Sequence, residues 1–264
     1  LVVRDYNLPK FVSRDSLVIV SSYSGNTEET VAAFSDAIQR GAQIACITSG
    51  GKVLQQAQQL NLPLIKIPGG DPPRACVGYS LVAQLSILAE AGLIPDQRAT
   101  LDKAYKWLQE QQGQIESLAK VIAEKLWDKL PVIYTINSHE AVGMRCRQQL
   151  NENGKMLGWH HIIPEMNHNE IVGWVEPHPE IATLFLRFPG EHPRKAKRMD
   201  FTKDKAAAKD AVVEEVWAQG DNIIEQYLYM IHLVDWVSLF IAYKKGVDPM
   251  DIALIDELKH QLSD

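Results

Sequence analysis

Three hydroxyl side chains crowd into one short stretch near the start of the chain. Ser22, Ser24 and Thr27 lie in "SSYSGNTEET" (21–30), directly behind the apolar run "LVIV". A β-branched run that stops in serines and leads into helix formers spells a strand, a loop and a helix start. Free backbone N–H groups at a helix start attract an anion, and neutral hydroxyls can hydrogen-bond phosphate oxygens. Gly25 lets the backbone come close to such a ligand. The loop lacks the Gly-Lys-Ser/Thr of a nucleotide-triphosphate loop, and no GxGxxG occurs, which favours a small phosphorylated metabolite over a nucleotide. The same residues also fit a plain helix cap, with Asn26 capping and Glu29 closing the box. Residue types alone leave both readings open.

Four further residues carry charge in suggestive places. Glu152, in "RCRQQLNENGK", stands at the end of a helical pattern, where an acid opposes the helix dipole. It is either a solvated surface acid or a group held there for another purpose. His168, in "IPEMNHNEIVGW", sits between Asn167 and Asn169. These neighbours either set its tautomer for acid–base work or flank a structural histidine. Arg74, in "DPPRA", is expected in the first turn of its helix, where a cation also opposes the dipole unless an anionic ligand bridges the two. Lys259, in "IDELKHQL", reads by itself as a solvated helix lysine. His160 and His161 lack a carboxylate or cysteine at a usual zinc spacing, so no metal site is expected. Nothing matches a GxSxG elbow or a Cys/His nucleophile pattern.

The elements that must position these residues alternate in type. Strands are expected over 16–22, 43–49 and 62–70, with helices over 27–41, 52–60 and 72–92. Residues 95–128 are polar and helical, as one or two connecting helices with a break expected at Gly113. The alternation then restarts with a strand over 131–137 and a helix over 138–153, capped by Ser138. Strands over 180–189 and 211–219 flank a charged helix, and an apolar helix (222–246) and a final helical segment (249–262) close the chain. Single helices between strands imply parallel sheets in an α/β fold. The expected division is 1–94, then connecting helices over 95–129, then 130–264.

Composition agrees with a soluble globular protein. Of 264 residues, 46% are apolar and 23% charged, which is enough apolar material for buried cores. The net charge of -6 and the isolated basic cluster "PRKAKR" (193–198) argue against nucleic acid as a partner. No apolar stretch is long enough to span a bilayer, so no membrane role is expected. Three cysteines, odd in number and in apolar settings, read as reduced core residues of a cytoplasmic protein.

Taken together, "SSYSGNTEET", "DPPRA", "QLNENGK", "IPEMNHNEIVGW" and "IDELK" resemble the bifunctional phosphoglucose/phosphomannose isomerases, which are built from sugar-isomerase (SIS) domains. The resemblance runs over nearly the whole chain and implies two SIS-like subdomains, each a parallel sheet flanked by helices. It implies an aldose–ketose isomerase of carbohydrate metabolism that acts through a cis-enediol(ate) and needs neither metal nor organic cofactor. Carried over by position, it puts phosphate-binding hydroxyls on Ser22, Ser24 and Thr27, and the active-site arginine on Arg74. The base falls on Glu152, the ring-opening histidine on His168 and the C-terminal lysine on Lys259. In the resembled family the histidine comes from the partner subunit, so a homodimer is implied. The alternative is a non-catalytic SIS-type protein that binds sugar phosphates and regulates a partner.

Two departures stand out. The family usually reads NENAK where this chain has "NENGK", and Gly154 is expected only to loosen the helix end. The family also begins with a strand and a glycine-serine loop that this sequence does not contain. The first sheet is therefore expected to have unpaired backbone groups in its middle, and a segment of several tens of residues is expected to precede Leu1.

Overall fold

The structure, a computed structural model, describes residues 1–262. It divides into two compact units, one from Leu1 to Leu101 and one that begins at Asp102.

In the first unit, β1 (Leu17–Ser21), β2 (Gln43–Thr48) and β3 (Leu64–Lys66) form a parallel sheet in the order β1-β2-β3. β2 is the central strand, and five of its six residues are buried because both faces are covered. Helices α1 (Glu28–Gln39) and α2 (Gly51–Gln59) pack Phe34, Ala37, Val53 and Ala57 against Val20, Ile44 and Cys46 on one face. Helix α3 (Val77–Glu90) brings Ala83 and Ile87 to Ile47 and Ile67 on the other. The three strands pair without interruption and β1 is an edge, so the expected gap in the middle of this sheet is not found. The segment ahead of β1 is pinned to α1. Arg40 donates to the carbonyls of Leu8 and Pro9, and Asp36 accepts from the Leu8 N–H.

Helix α4 (Arg98–Leu126) is a single helix that runs straight through Gly113, where a break was expected. Glycine in a helix interior costs only about 1 kcal/mol. That is small beside the burial of Ile115, Ala119, Ile122 and Leu126 on the same helix.

The second sheet is parallel throughout, in the order β5-β4-β6-β7. Its strands are β4 (Leu130–Ile136), β5 (Trp159–Ile163), β6 (Ile181–Arg187) and β7 (Val212–Trp217). Side chains alternate faces, so Ile133 and Leu184 pack with α4, α5 (Glu140–Glu152) and α7 (Ile223–Lys245). Val132, Tyr134 and Phe185 face α6 (Pro193–Ala207) and two 3-10 turns, Glu165–His168 and Glu170–Val175. The edge strand β5 was not expected from sequence. Its "WHHII" carries two histidines, and only Ile163 is fully buried, so no apolar run announces it.

The expected cap at Ser138 is also corrected. Ser138 lies inside a 3-10 turn, Asn137–His139, and His139 is the N-cap of α5 without a side-chain cap bond. Packing sets this corner. His139 stacks on Phe188 at 3.8 Å, and Lys195 donates to Asn137 Oδ1. By contrast α7 starts at Asn222, whose Oδ1 accepts from the N–H groups of Ile224 and Glu225, and stops at Gly246 in the left-handed region. The chain closes with α8 (Ala253–Gln261). Among the described residues no helix is long and apolar enough to cross a membrane.

Candidate functional site

The hydroxyl loop sits at the carboxyl end of β1 and is held rigidly. Gly25 has φ 69°, and a Cβ there would lie 1.8 Å from the Gly50 carbonyl oxygen, so only glycine fits. The Val53 N–H donates to the Gly25 carbonyl, the Lys52 N–H to Asn26 Oδ1, and Ser49 Oγ to the Tyr23 carbonyl. Asn26 thus locks the loop to the start of α2 and does not cap α1. Thr27 is the N-cap residue by position, and among the described residues no side chain caps α1. The cap reading of this sequence is therefore overturned.

The three hydroxyls have different surroundings. Ser22 is buried and its Oγ lies inside the loop, accepting from the Gly25 N–H at 3.1 Å and meeting Thr27 Oγ1 at 2.9 Å. Ser24 and Thr27 are exposed at the uncapped start of α1. Two acids, Glu28 and Glu29, occupy the first turn of this helix. The loop can present hydroxyls and helix-start N–H groups to an anion.

Arg74 belongs to the same unit. It lies on a separate 3-10 turn, Pro73–Ala75, ahead of α3 and not in that helix's first turn as expected. The Ala75 and Cys76 N–H groups bond three residues back, to Pro72 and Pro73, and Cys76 leaves helical geometry with its side chain buried. Tyr23 joins the hydroxyl loop to this segment, its OH accepting from the Asp71 N–H at 3.1 Å. The Cys76 thiol beside it holds the Tyr23 phenol above its ordinary pKa.

In the second unit Glu152 is the last residue of α5, half-buried, between two anchored asparagines. Asn151 Nδ2 donates to the Met156 carbonyl, and Asn153 Nδ2 to Ser238 Oγ on α7 at 2.9 Å. Lys155 Nζ donates to the carbonyls of Glu152 and of Asp251, the latter two residues ahead of α8. This links the end of α5 to the entry of α8; in the last turn of that helix exposed Lys259 pairs with Asp256 at 2.9 Å. Beneath Glu152, Arg145 and Gln149 bond Asp235 of α7, whose carboxyl burial pushes above its ordinary value. Gly154 does more than loosen the helix end. A Cβ there would lie 2.8 Å from the Leu150 carbonyl oxygen and 3.1 Å from Ile241 Cγ2.

His168 is exposed at the end of the 3-10 turn that follows β5. Neither neighbouring asparagine bonds its ring. Asn167 Nδ2 donates to Thr202 Oγ1, and Asn169 Oδ1 accepts from the Glu170 N–H, so the tautomer-setting reading is corrected. A cavity of about 320 Å³ beside this turn is lined by Asn167, Ile171, Arg194, Lys197, Arg198 and Phe201. Because α5 runs back across the sheet, Glu152 stands at its amino edge and His168 at its carboxyl edge. The five residues of β5 lie between those edges, a strand length of about 16 Å.

Sequence reasoning weighed His161 only as a metal ligand and gave no part in the His168 turn to three residues that hold it. They are Tyr134, His161 and Glu170. The one available signal was an acid immediately after "NHN", in a segment otherwise rich in apolar residues.

Residues 115–262 match the model of the bacterial phospho-glucose isomerase C-terminal SIS domain. The chain is 38% identical to a bifunctional phosphoglucose/phosphomannose isomerase of Caldicellulosiruptor bescii, over 100% of this chain and 81% of that protein. It is 36% identical to the protein of the same name from Aquifex aeolicus, over 99% and 80% of the two chains. Among solved structures, glucosamine-6-phosphate deaminase of Thermotoga maritima superposes with a TM-score of 0.69 at 14% identity, over 92% of this chain and 74% of the other. At that identity the likeness concerns the fold alone.

Proposed function

The chain belongs to the bifunctional phosphoglucose/phosphomannose isomerase family, and on that premise we propose that it interconverts glucose 6-phosphate and mannose 6-phosphate with fructose 6-phosphate through a cis-enediol(ate). The observation that carries the reading is the start of α1, left uncapped with Ser24 and Thr27 exposed beside it. A dianionic phosphate is the ligand such a helix start favours.

Aldose–ketose isomerisation moves a proton between neighbouring carbons once the sugar ring is open. It needs a phosphate anchor, an acid–base group for the ring, a carboxylate base and a cation for the developing oxyanion. In this reading Ser22, Ser24 and Thr27 form the anchor, with Ser22 shaping the loop from within. His168 moves the proton that opens the ring. Glu152 shuttles the proton between C2 and C1, Arg74 stabilises the enediolate, and Lys259 contacts the ring oxygen. The base must accept from both hexose C2 configurations for both aldoses to serve as substrates.

Glu152 and His168 stand at opposite edges of one sheet, which supports a homodimer in which His168 serves the partner's site. The three free buried cysteines support a reducing, cytoplasmic setting. The test of the chemistry is Glu152→Gln, measured in coupled assays with both hexose 6-phosphates. Turnover is expected to fall at least about a hundredfold, within the range for loss of a general base, while sugar-phosphate binding persists. Unchanged turnover removes Glu152 as the base, whereas sugar-phosphate binding with no turnover in the unaltered protein favours one that only binds sugar phosphate.

A further inference from the structure

The Asn167–Glu170 segment is fastened at both ends and open in the middle. At one end Asn167 Nδ2 donates to Thr202 Oγ1 of α6 at 2.9 Å. At the other, Glu170 turns into the fold, where the Tyr134 hydroxyl donates to its Oε1 at 2.5 Å. The Trp174 Nε1–H in turn donates to the Tyr134 oxygen at 3.3 Å. His161 Nδ1 lies 2.8 Å from Glu170 Oε2, a buried oxygen that accepts no well-directed hydrogen bond.

Tyr134 is fully buried in β4, and burial, followed by the Glu170 charge, pushes its phenol far above its ordinary pKa. It therefore stays protonated and is the donor. Every polar hydrogen in the chain Trp174, Tyr134, Glu170 points toward the carboxylate.

A carboxylate with a buried Oε2, set against Tyr134 of the apolar cluster, loses hydration, and an apolar side chain could pack the same turn without that penalty. What the carboxylate adds is direction. It ties the backbone to β4 and β5 two residues beyond His168. The His168 imidazole itself makes no hydrogen bond or ion pair among the described residues, so its aim is set by the backbone on either side. We propose that Glu170 is a positioning residue for His168, acting through Tyr134 on β4 and His161 on β5. This rests on the reading of His168 as the ring-opening group.

The experiment compares Tyr134→Phe, Glu170→Gln, Glu170→Ala and His168→Asn with the unaltered protein. Anomer interconversion of fructose 6-phosphate is followed by exchange NMR, together with isomerisation kinetics and inorganic phosphate binding. Tyr134→Phe and Glu170→Ala are expected to slow anomer interconversion about tenfold or more, since misplacement near 1 Å can cost that much. Phosphate binding should stay unchanged, and Glu170→Gln, which still accepts from Tyr134, should recover part of the loss. Rates within twofold of the unaltered protein for Tyr134→Phe and Glu170→Ala overturn the proposal. Parallel loss of phosphate binding, or failure of these variants to fold, also overturns it, because the network then serves stability. If His168→Asn leaves anomer interconversion intact, the underlying role of His168 fails, a result distinguishable from failure of Glu170 alone.

Discussion

At the scale of single residues, the three hydroxyls that look equivalent in the sequence have different places. Ser22 is turned inward and organises the loop, while Ser24 and Thr27 are exposed, Thr27 with its Oγ1 against Ser22 Oγ. Thr27→Val keeps the shape of the side chain and removes its hydroxyl. A hydrogen bond to a charged group contributes about 1.5–3 kcal/mol. The KM for either hexose 6-phosphate should therefore rise about tenfold or more, with kcat much less affected. Steady-state kinetics check this, and an unchanged KM would take Thr27 out of the phosphate anchor. These hydroxyls were legible because a strand ending in serines is a strong local pattern. Glu170 was not, since its partners Tyr134 and His161 lie on other strands and no local spacing links them.

At the scale of elements, sequence periodicity located the strands written as apolar runs, the edge strands β1, β3 and β7 among them, and missed the edge strand β5. β2 and β4 read as apolar runs because helices cover both their faces. β5 is half-covered and carries His160 and His161, so its pattern has no apolar period. Helix ends were misjudged where packing replaces capping, as at Ser138, and helix interiors where burial outweighs propensity, as at Gly113. Gly154 is a case of close approach. An added methyl at position 154 must displace either the Leu150 carbonyl or α7. Gly154→Ala should destabilise the protein by about 1–3 kcal/mol, the usual cost of overpacking. Urea unfolding measures the shift, and an unchanged midpoint would mean the turn after α5 relaxes freely.

At the scale of the whole molecule, the order of strand, helix and strand has a consequence for chemistry. A helix that connects parallel strands must return across the sheet. The end of α5 and the turn after β5 therefore face opposite edges, and Glu152 and His168 do so with them. In the proposed homodimer, each site takes Glu152 from one chain and His168 from the other. An equal mixture of Glu152→Gln and His168→Asn chains, reassembled at random, should then regain about a quarter of full activity. Half of the dimers are mixed, and one of the two sites in each is intact. No recovery after confirmed subunit exchange would mean that each site draws both residues from one chain.

The sequence by itself determined the alternation of strands and helices, the α/β class, the anion-suited loop behind β1 and the acid at the end of α5. These are local properties, written in periods of two and 3.6 and in the residues that start and stop elements. Only the tertiary structure decided that Asn26 locks a loop and does not cap a helix, and that Arg74 stands on its own turn. It also decided that a buried tyrosine and a second histidine grip the acid beside His168. Those outcomes depend on contacts between residues far apart in the chain, such as Asn26 with Lys52 and Tyr134 with Glu170. Such contacts form only once the sheets are assembled, because burial and hydrogen-bond partners are properties of the packed core and not of any local stretch.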